Sequence, residues 1–432
     1  MWQWIFTGRI LRLATAAVAT VSLCVTGAAI PQSTLGLPDG ARFAKIDVGY
    51  SHSCGLTAAG VAYCWGFNGD GELGDSHVGD DSYYPSLVVF PSGVSKFTSI
   101  SAGYASTCAI SSANVAYCWG YNSYGQLGNG TNDPSDEPQA VSGGLLFASI
   151  DAGSDTTCGI TTAGDAYCWG FNDYGQLGNN QHDATESNLA DASTPQLVVG
   201  GLKWKSVSVG DNTTCGVTKR GVGYCWGTGN NGELGNGDFA LEGGGFGLDA
   251  DSAVPVAVAT SQRFATIRTA SEHSCGLTVG GSVYCWGDRT YGQIGNGDDS
   301  PGFVAIPTLV SLPVRARSIA GADNGWSSCA IDASGVARCW GWNAGFDYDY
   351  GSGHHHENLS ILGTGSHAYQ EALPGVVLGG LRFSSIDTDY YHGCGLTTKG
   401  FVYCWGWGYE GELGTGYLEA TYGPLLPVTW AP

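Results

Sequence analysis

The sequence predicts an all-β protein, a seven-bladed β-propeller with four antiparallel strands in each blade. Three observations lead to this fold class. Seven pairs of cysteines occur along the chain, every pair ten positions apart. The second cysteine of each pair is followed by Trp-Gly and then by a glycine-rich turn. The whole unit recurs with a period of roughly 50 to 60 residues, which is typical of propellers and solenoids.

The segment between the two cysteines of each unit is predicted to be a β-hairpin. In the first unit its loop has three residues and ends at Gly60, a position that needs a left-handed backbone. The equivalent position is glycine in five other units and Asn114 in the second, where asparagine is the next-best residue for a positive φ. Counting outward from this loop places Cys54 directly opposite Cys64, within reach of a disulfide bond.

The cysteines are therefore predicted to form seven disulfide bonds, one in each hairpin. Each bond closes a loop of about eleven residues, which the chain-entropy model values at about 2–3 kcal/mol. Fourteen reduced core cysteines are the alternative interpretation. The predicted pairs are Cys54–Cys64, Cys108–Cys118, Cys158–Cys168, Cys215–Cys225, Cys275–Cys285, Cys329–Cys339 and Cys394–Cys404.

The tryptophan after each second cysteine is expected to pack between blades, with a cofactor site or a carbohydrate platform as the alternative. The Gly-Gln-Leu-Gly turns carry Glu in place of Gln in three units, and they match neither a phosphate loop nor a dinucleotide fingerprint. They are interpreted as architectural. His52, His273 and His392 share one repeat position with serine and threonine, which indicates a hydrogen-bonding structural role.

Each unit also contains an apolar strand before the hairpin and a proline-containing strand after it, such as residues 43–49 and 85–89 of the first unit. These segments bring the number of strands to the four that a propeller blade needs. Residues 424–430 either finish blade seven or cross to complete blade one. We expect the crossing, because it closes the ring mechanically.

The repeat unit resembles the regulator of chromosome condensation repeat. The shared pattern is a strand, Gly-x-x-His/Ser, a hairpin, Trp-Gly-x-Asn-x-x-Gly-Gln-Leu-Gly and Pro-x-x-Val, and it covers about residues 41–432. The resemblance implies a seven-bladed propeller. It also implies two precedents: a nucleotide exchange factor for a small nuclear GTPase that docks on chromatin, and a secreted bacterial inhibitor of β-lactamases. The paired cysteines and the acidity set this chain apart from the eukaryotic founder.

The N-terminal segment is predicted to be a secretory signal peptide. Arg9 and Arg12 precede an apolar run that is too short for a membrane span, and small residues follow it. Its removal also removes Cys24 and leaves the fourteen paired cysteines, which agrees with an oxidising compartment. We expect a secreted protein, extracellular or periplasmic, with an uncleaved membrane anchor as the alternative. The predicted divisions are a signal peptide at 1–28, a linker at 29–40 and the propeller at 41–432.

The chain is strongly acidic, with a net charge of −21 at pH 7 that becomes −23 when the two leader arginines are lost. Nucleic acid binding needs a basic footprint, and blocks of Lys and Arg are missing from the sequence. Neither nucleic acid nor an anionic membrane is therefore expected as a partner. We interpret the acidic residues as a solvated, soluble surface. Binding of a basic partner is the more specific alternative. We expect a monomer without a cofactor and without a stable membrane anchor.

Two insertions interrupt the repeat, and function is expected where repeats are broken. One occupies residues 344–360 in the sixth unit and the other residues 238–251 in the fourth. Aromatic residues flanked by glycines and acids offer a large contact area at low entropy cost, so these loops are predicted to bind a partner. The candidate partner-binding residues are Trp342, Phe346, Tyr348, Tyr350, Phe239 and Phe246.

The sixth-unit insertion also contains side chains of the type that bind divalent metals. Adjacent histidines in an extended loop point in alternating directions, however, so an exposed polar loop is favoured and no metal site is predicted. The weak candidates are His354, His356, Asp347 and Asp349.

The sequence contains no nucleophile elbow, no zinc-protease helix and no Cys-His pairing. The predicted function is therefore that of a secreted, non-enzymatic propeller that binds a protein or a cell-surface ligand through loop insertions. One alternative is a guanine-nucleotide exchange regulator. The other is an extracellular lyase or hydrolase acting on polysaccharide, which a cleft of acids and aromatics at the axis would favour.

Overall fold

The structure, a computed structural model, forms seven antiparallel sheets arranged as a β-propeller, six of them with four strands and the seventh with three. This confirms the predicted fold class. No helix in the described part of the chain is long and apolar enough to cross a membrane. The described residues are 42–182, 190–240, 250–321, 325–343, 360–417, 421, 423, 424 and 426–429.

The strands follow one order in every blade, and the first strands contact each other around the axis. The first strands are β1 Phe43–Val48, β5 Phe97–Ala102, β9 Phe147–Ala152, β13 Trp204–Val209, β17 Phe264–Thr269, β21 Ala316–Gly321 and β25 Phe383–Thr388. The second strands are β2 His52–Thr57, β6 Ser106–Ser111, β10 Thr156–Thr161, β14 Thr213–Thr218, β18 His273–Thr278, β22 Ser327–Asp332 and β26 His392–Thr397. The third strands are β3 Ala62–Gly66, β7 Ala116–Gly120, β11 Ala166–Gly170, β15 Gly223–Gly227, β19 Val283–Asp288, β23 Ala337–Trp342 and β27 Val402–Gly406. The fourth strands are β4 Ser82–Leu87, β8 Ser135–Ala140, β12 Ala192–Leu197, β16 Ser252–Ala257, β20 Phe303–Leu309 and β24 Gln370–Val376, and a 3₁₀ turn occupies Ser142–Gly144.

The second and third strands of every blade form the predicted disulfide-closed hairpin. Cys54 faces Cys64 in the strand register, and seven disulfide bonds join cysteines whose Cα atoms lie 4.0–4.1 Å apart. This spacing is that of a non-hydrogen-bonded antiparallel pair. Gly60 has φ 83° and Asn114 has φ 63°, so asparagine takes the left-handed position in the one hairpin without a glycine there.

The C-terminal segment corrects the predicted ring closure. Pro427 forms an antiparallel bridge with Tyr403 on β27, so the segment extends blade seven and does not cross to blade one. Blade one lacks no strand, because its own β4 pairs with β3. That strand covers Ser82–Leu87 and therefore begins three residues before the predicted segment at 85–89.

The ring closes through packing of blade seven against blade one. β26 packs on β1, as the second strand of each blade packs on the first strand of the next. The Phe43 amide donates to the Gly400 carbonyl at 2.9 Å, which repeats the bond from Phe97 to Gly60 between blades one and two at 2.8 Å. Closure therefore uses the same contacts as every other blade interface.

The core lies between adjacent blades, and the repeat tryptophan is fully buried in it. Between blades one and two, Phe97 and Trp119 pack on Leu56 and on the first disulfide. The Nε1 atom of Trp119 donates to the backbone carbonyl of Glu72 in the preceding blade at 2.8 Å. The equivalent bond occurs at all seven interfaces, with lengths of 2.7–3.0 Å. The predicted packing of these tryptophans between blades is confirmed.

The Gly-Gln-Leu-Gly turn supplies that carbonyl, and its last glycine lies against the indole. Gly178 has φ 64°, and a Cβ atom there would lie 2.8 Å from Nε1 of Trp226. Real Cβ atoms do not approach so closely, so only glycine fits. The Trp-Gly motif of one blade and the turn of the preceding blade therefore form one inter-blade contact, a hydrogen bond together with close packing, which we call the tryptophan interlock.

Replacement of Trp226 by Phe is expected to lower the free energy of unfolding by ~2 kcal/mol. The change removes the donor to the Gln176 carbonyl, at 2.9 Å, and part of a fully buried ring. Trp204→Phe is the matched control: Trp204 is buried on β13, where five other blades have phenylalanine, so we expect a loss below ~1 kcal/mol. Denaturant unfolding followed by circular dichroism measures both, and equal losses would contradict the interlock.

Three buried histidines bridge blades, as their shared repeat position indicates. Nε2 of His52 lies 2.8 Å from Thr107 Oγ1 of blade two, and His392 Nε2 lies 2.7 Å from Ser53 Oγ of blade one. His273 makes the same contact with blade six. Burial lowers the pKa of His52 to about 4 and that of the other two to about 3, so all three are neutral imidazoles.

Candidate functional site

The two ends of the propeller are built from different connections. The hairpin face carries the turns between second and third strands and the segments that enter each first strand. The loop face carries the connections from first to second strands and from third to fourth strands. Because loops on a rigid scaffold usually carry binding residues, the loop face is the first candidate site.

Seven connections between first and second strands surround the axis on the loop face. Several neighbouring connections are joined by backbone hydrogen bonds, such as Tyr104 N to Gly153 O at 3.1 Å. The two residues before each second strand include at least one aromatic residue in blades six, seven, one and two and one acidic residue in blades three, four and five. In blade order these pairs are Tyr50-Ser51, Tyr104-Ala105, Ser154-Asp155, Asp211-Asn212, Ser271-Glu272, Gly325-Trp326 and Tyr390-Tyr391.

An aromatic cluster occupies one side of the axis. The ring of Tyr50 lies 4.3 Å from that of Tyr104 and 5.4 Å from that of Tyr390, measured between centroids. Tyr390 in turn lies 5.6 Å from Trp326. The cluster consists of Tyr50, Tyr104, Tyr291, Trp326, Trp342, Tyr369, Tyr390, Tyr391, Trp407 and Tyr409.

The aromatic cluster is ordered inside and open at its surface. The Tyr50 hydroxyl donates to the Tyr391 hydroxyl at 3.0 Å, and burial raises the pKa of Tyr50 and of Tyr390. Tyr104 is 42 % exposed and Tyr409 is 52 % exposed. The cluster therefore offers neutral, partly exposed rings held by rings beneath them.

An acidic arc, formed by Asp155, Asp211 and Glu272, occupies the other side of the axis. Burial, with Asp211 and then Asp191 nearby, raises the pKa of Asp155 to about 7. Burial also raises the pKa of Asp211 and of Glu272. These carboxyls are crowded and partly dehydrated, so a cation arriving at the arc would favour their ionised form.

The aromatic cluster and the acidic arc adjoin each other at Tyr104. Burial raises the pKa of this tyrosine, and the nearby Tyr391, Asp155 and Asp211 raise it further. Gln126 Nε2 donates to Asp155 Oδ1 at 2.9 Å, which fixes the arc where it meets the cluster. Exposed aromatic rings and carboxylates thus share one surface around the axis.

The structure separates the predicted partner-binding residues into three groups. Trp342 is 2 % exposed and lies within the aromatic cluster, 5.3 Å from the ring of Tyr390, so it supports the surface from below. Phe239 is 41 % exposed, and its ring lies 4.8 Å from that of Phe303. The remaining candidates lie outside the described residues: Phe346, Tyr348, Tyr350 and Phe246.

The weak metal-binding candidates also lie outside the described residues, namely His354, His356, Asp347 and Asp349. Within the described ranges, no three His, Cys, Asp or Glu side chains are placed to hold a metal ion.

The axial channel contains a layer of ionisable side chains formed by Asp47, Asp151, Asp387 and Arg268. Asp47 Oδ2 accepts from the Ala102 amide at 2.8 Å, and Asp387 Oδ2 accepts from the Val48 amide at 2.9 Å. Arg268 Nη1 lies 3.4 Å from Asp151 Oδ1 across the channel. These acids satisfy backbone amides of the neighbouring blade, so their first role is structural.

A cavity of about 440 Å³ lies beside this layer and is lined by first-strand residues of several blades. None of the described residues lining it is aromatic. The aromatic rings near the axis therefore belong to the loop face and not to the lining of this cavity.

Sequence reasoning missed the acidic arc and most of the aromatic cluster, because it looked at insertions. The signal was a repeat position of changing character. The residue two places before each second strand is aromatic at Tyr50, Tyr104 and Tyr390 but acidic at Asp211. A repeat position whose residue type changes from aromatic to acidic around the ring can therefore indicate a functional surface, just as an insertion can.

The fold is that of a β-propeller whose loop face presents aromatic rings and carboxyls around the axis. The chain contains regulator of chromosome condensation (RCC1) repeats. Two family models of this repeat match it, one over residues 59–110, 115–160 and 163–217 and the other over residues 43–72, 97–126, 147–176 and 271–293.

Two curated relatives show the extent of the similarity. The ultraviolet-B receptor UVR8 of Arabidopsis thaliana is 28% identical over 382 residues, covering 86% of this chain and 66% of UVR8. The E3 ubiquitin-protein ligase HERC2 of Mus musculus is 28% identical over 378 residues, covering 86% of this chain and 6% of HERC2. The chain therefore spans about two thirds of the first relative and a small part of the second.

Solved structures show the same fold. Prp20p of Saccharomyces cerevisiae, studied for its binding to Gsp1p and histones, is 20% identical with a TM-score of 0.69, and the match covers 87% of each chain. Human WBSCR16 is 20% identical with a TM-score of 0.71, covering 85% of this chain and 94% of that one.

Proposed function

We propose that this protein is a secreted, non-enzymatic propeller that binds a protein ligand through its loop face. A cationic segment of the ligand lies on the acidic arc and against the exposed rings of the aromatic cluster. The observation that carries the proposal is the proximity of these two elements at Tyr104, whose exposed ring lies near enough to Asp155 and Asp211 for their charges to raise its pKa.

The chemistry of the loop face suits a lysine or arginine side chain. The faces of tyrosine and tryptophan attract such cations, with about 0.5–2 kcal/mol gained for each contact. Carboxyls that repel one another gain from a cation placed between them. An acidic surface also speeds the approach of a basic partner.

Two observations support export. Seven disulfide bonds are stable in an oxidising compartment, and residues 1–28 have the composition of a signal peptide. Prp20p, which shares the fold, binds the proteins Gsp1p and histones. We extend to this chain only the general role of protein binding. Phe239 and the aromatic residues of the sixth-unit insertion remain candidates for further contacts with the ligand.

The proposal is tested with a fluorescein-labelled octa-arginine peptide and the full chain, with affinity measured by fluorescence anisotropy. The double variant Asp155→Asn/Asp211→Asn is expected to weaken binding by about tenfold or more, and Tyr104→Ala by about fivefold. Because the pKa of Asp155 is about 7, affinity is expected to fall when the pH drops from 8 to 6.

Matched controls lie elsewhere on the chain. Asp165→Asn removes a carboxylate of the hairpin face, and Tyr417→Ala removes a tyrosine that is 61 % exposed and lies outside the aromatic cluster. Both are expected to keep the wild-type affinity. A peptide that binds equally well to the loop-face variants would show that the proposal is wrong.

A further inference from the structure

The hairpin face carries a charge opposite to that of the whole chain. Twelve of the fifteen lysines and arginines in the described residues lie on this face, and all twelve are exposed. Within the described ranges, its hairpin turns and the segments that lead into the first strands contain only two acids, Asp165 and Asp332. The twelve cations are Arg42, Lys45, Lys96, Lys203, Lys205, Lys219, Arg220, Arg263, Arg315, Arg317, Arg382 and Lys399.

A single repeat position supplies half of these cations. The residue directly before the first strand is lysine or arginine in six of the seven blades, and it is Leu146 in blade three. The six are Arg42, Lys96, Lys203, Arg263, Arg315 and Arg382. They are separated by a full repeat in the sequence, so they form no basic block. The lack of such blocks therefore does not mean the lack of a basic surface.

Backbone hydrogen bonds hold this position at one level around the ring. The Lys96 carbonyl accepts from the Ser112 amide of its own hairpin at 3.2 Å, and the Arg382 carbonyl accepts from Thr398 at 2.8 Å. The next residue, such as Phe97, donates to the turn glycine of the preceding blade. The six charges consequently form an outer ring on the hairpin face.

An inner group of cations lies closer to the axis. Lys45 Nζ donates to the Thr98 carbonyl at 2.6 Å, and Lys205 Nζ donates to the Ala265 carbonyl at 2.9 Å. Both lysines line the axial cavity. Positive charge therefore extends from the outer ring to the mouth of the channel.

Exposed aliphatic side chains stand among these cations. Val279, in the hairpin turn of blade five, is 73 % exposed, and its amide donates to the Arg263 carbonyl at 3.0 Å. Val314, which directly precedes Arg315, is 48 % exposed, and Leu146 is 47 % exposed. The hairpin face thus combines a ring of cations with aliphatic side chains at the same level.

We infer that the hairpin face binds the surface of an anionic phospholipid bilayer. A ring of charges at one level matches a plane of phosphate groups, and the aliphatic side chains can enter the interfacial region of the lipid. A soluble polyanion would use the charges alone. In this orientation the loop face points away from the membrane, so binding there is independent of lipid binding.

The acidity of the whole chain does not oppose this contact. A six-residue strand is about 20 Å long, whereas charges in physiological salt are screened over about 8 Å. The acids of the loop face therefore lie more than two screening lengths from a lipid surface at the hairpin face. Among the described lysines and arginines, only Arg289 lies on the loop face, where it pairs with Asp298 at 2.8 Å.

The test is co-sedimentation of the full chain with vesicles of phosphatidylcholine, with or without about 30 mol % phosphatidylglycerol. We expect binding to the anionic vesicles only, weakened by salt. Each cation removed should weaken partitioning by about fivefold, so Arg263→Glu/Arg315→Glu/Arg382→Glu should weaken it by more than about a hundredfold. Arg289→Gln on the loop face is the matched control and should bind as the wild type does.

Val279→Ser distinguishes lipid from other anionic ligands, because it changes no charge. It should weaken binding to anionic vesicles several-fold and leave binding to heparin unchanged. Equal binding of this variant and the wild type to vesicles would assign the face to a soluble polyanion and overturn the inference. Salt-sensitive self-association that the triple variant abolishes would assign it to the loop face of a second copy. Octa-arginine binding by the triple variant tests the loop face separately.

Discussion

Reduction of the seven disulfide bonds is expected to lower the melting temperature by roughly 20 °C or more. Each bond closes a loop of about eleven residues and contributes ~3 kcal/mol in the chain-entropy model. Seven independent bonds give ~20 kcal/mol, which exceeds the net stability of an ordinary domain, about 5–15 kcal/mol. The cysteines are at most 1 % exposed, so reduction has to be carried out in denaturant before refolding is attempted.

A single bridge provides the matched comparison. Cys158→Ala/Cys168→Ala opens the hairpin of blade three and should cost ~3 kcal/mol, or about 4 °C, with the other six bridges intact. Circular dichroism during heating measures both shifts. A reduced chain that melts within a few degrees of the oxidised one would show that the hairpins are held by packing and not by the bonds.

The same bonds report on the compartment. Intact mass of the natively expressed protein, alkylated before and after reduction, should show fourteen labels only after reduction and a chain that begins near Ala29. A full-length chain labelled without reduction would contradict export and favour the intracellular exchange-factor alternative.

The local structure of each blade could be predicted from the sequence because the number of residues on either side of the hairpin loop sets the strand register. A three-residue loop that ends in glycine, or in Asn114, fixes which residues face each other, and the cysteines follow from it. The tryptophan interlock was predictable as packing for a similar reason, since one residue type at one repeat position needs a repeated environment.

The ring closure and the two surfaces could not be read in this way, because they depend on which blades are neighbours. Residues near Pro427 have the same local pattern whether they pair with blade seven or with blade one. Tyr50 and Tyr390 meet only because the first and last blades touch. Trp342 precedes an insertion in the sequence, but it ends β23 and is covered by the rings of Trp326 and Tyr390.

The second large effect concerns buried glutamates in the Gly-Gln-Leu-Gly turns. Glu72, Glu233 and Glu412 occupy the position of Gln126, Gln176 and Gln293 in other blades. In each of these six residues a side-chain oxygen accepts a hydrogen bond from the backbone amide two positions earlier. The glutamines also donate through Nε2 to a neighbouring side chain, which an ionised glutamate cannot do. Oε1 of Glu72 and of Glu412 has no hydrogen-bond partner among the described residues.

Burial raises the pKa of Glu72 to about 7 and that of Glu233 and Glu412 to about 8, from an ordinary value of 4.5. The folded protein therefore keeps protons that the unfolded chain releases above pH 4.5, and its stability falls as the pH rises towards 8. The buried histidines have lowered pKa values and act in the opposite direction below pH 6.5. The window from pH 6.5 to 8.5 therefore excludes the histidines. Asp155, with a pKa of about 7, titrates in the same window, so the glutamates have to be separated from it by substitution.

Glu72→Gln/Glu233→Gln/Glu412→Gln is expected to raise the melting temperature at pH 8.5 by roughly 5–8 °C and to change it little at pH 5. The gain corresponds to ~2 kcal/mol for each site, well below the limit set by the full pKa shift of each glutamate. The reverse change, Gln176→Glu, should lower the melting temperature at pH 8.5 and not at pH 5, because the protonated carboxyl retains a donor. Differential scanning fluorimetry across this range measures both variants. Shifts that are the same at the two pH values would mean that the glutamates are ionised in the folded protein, since only a proton held in the blade interface makes the exchange depend on pH.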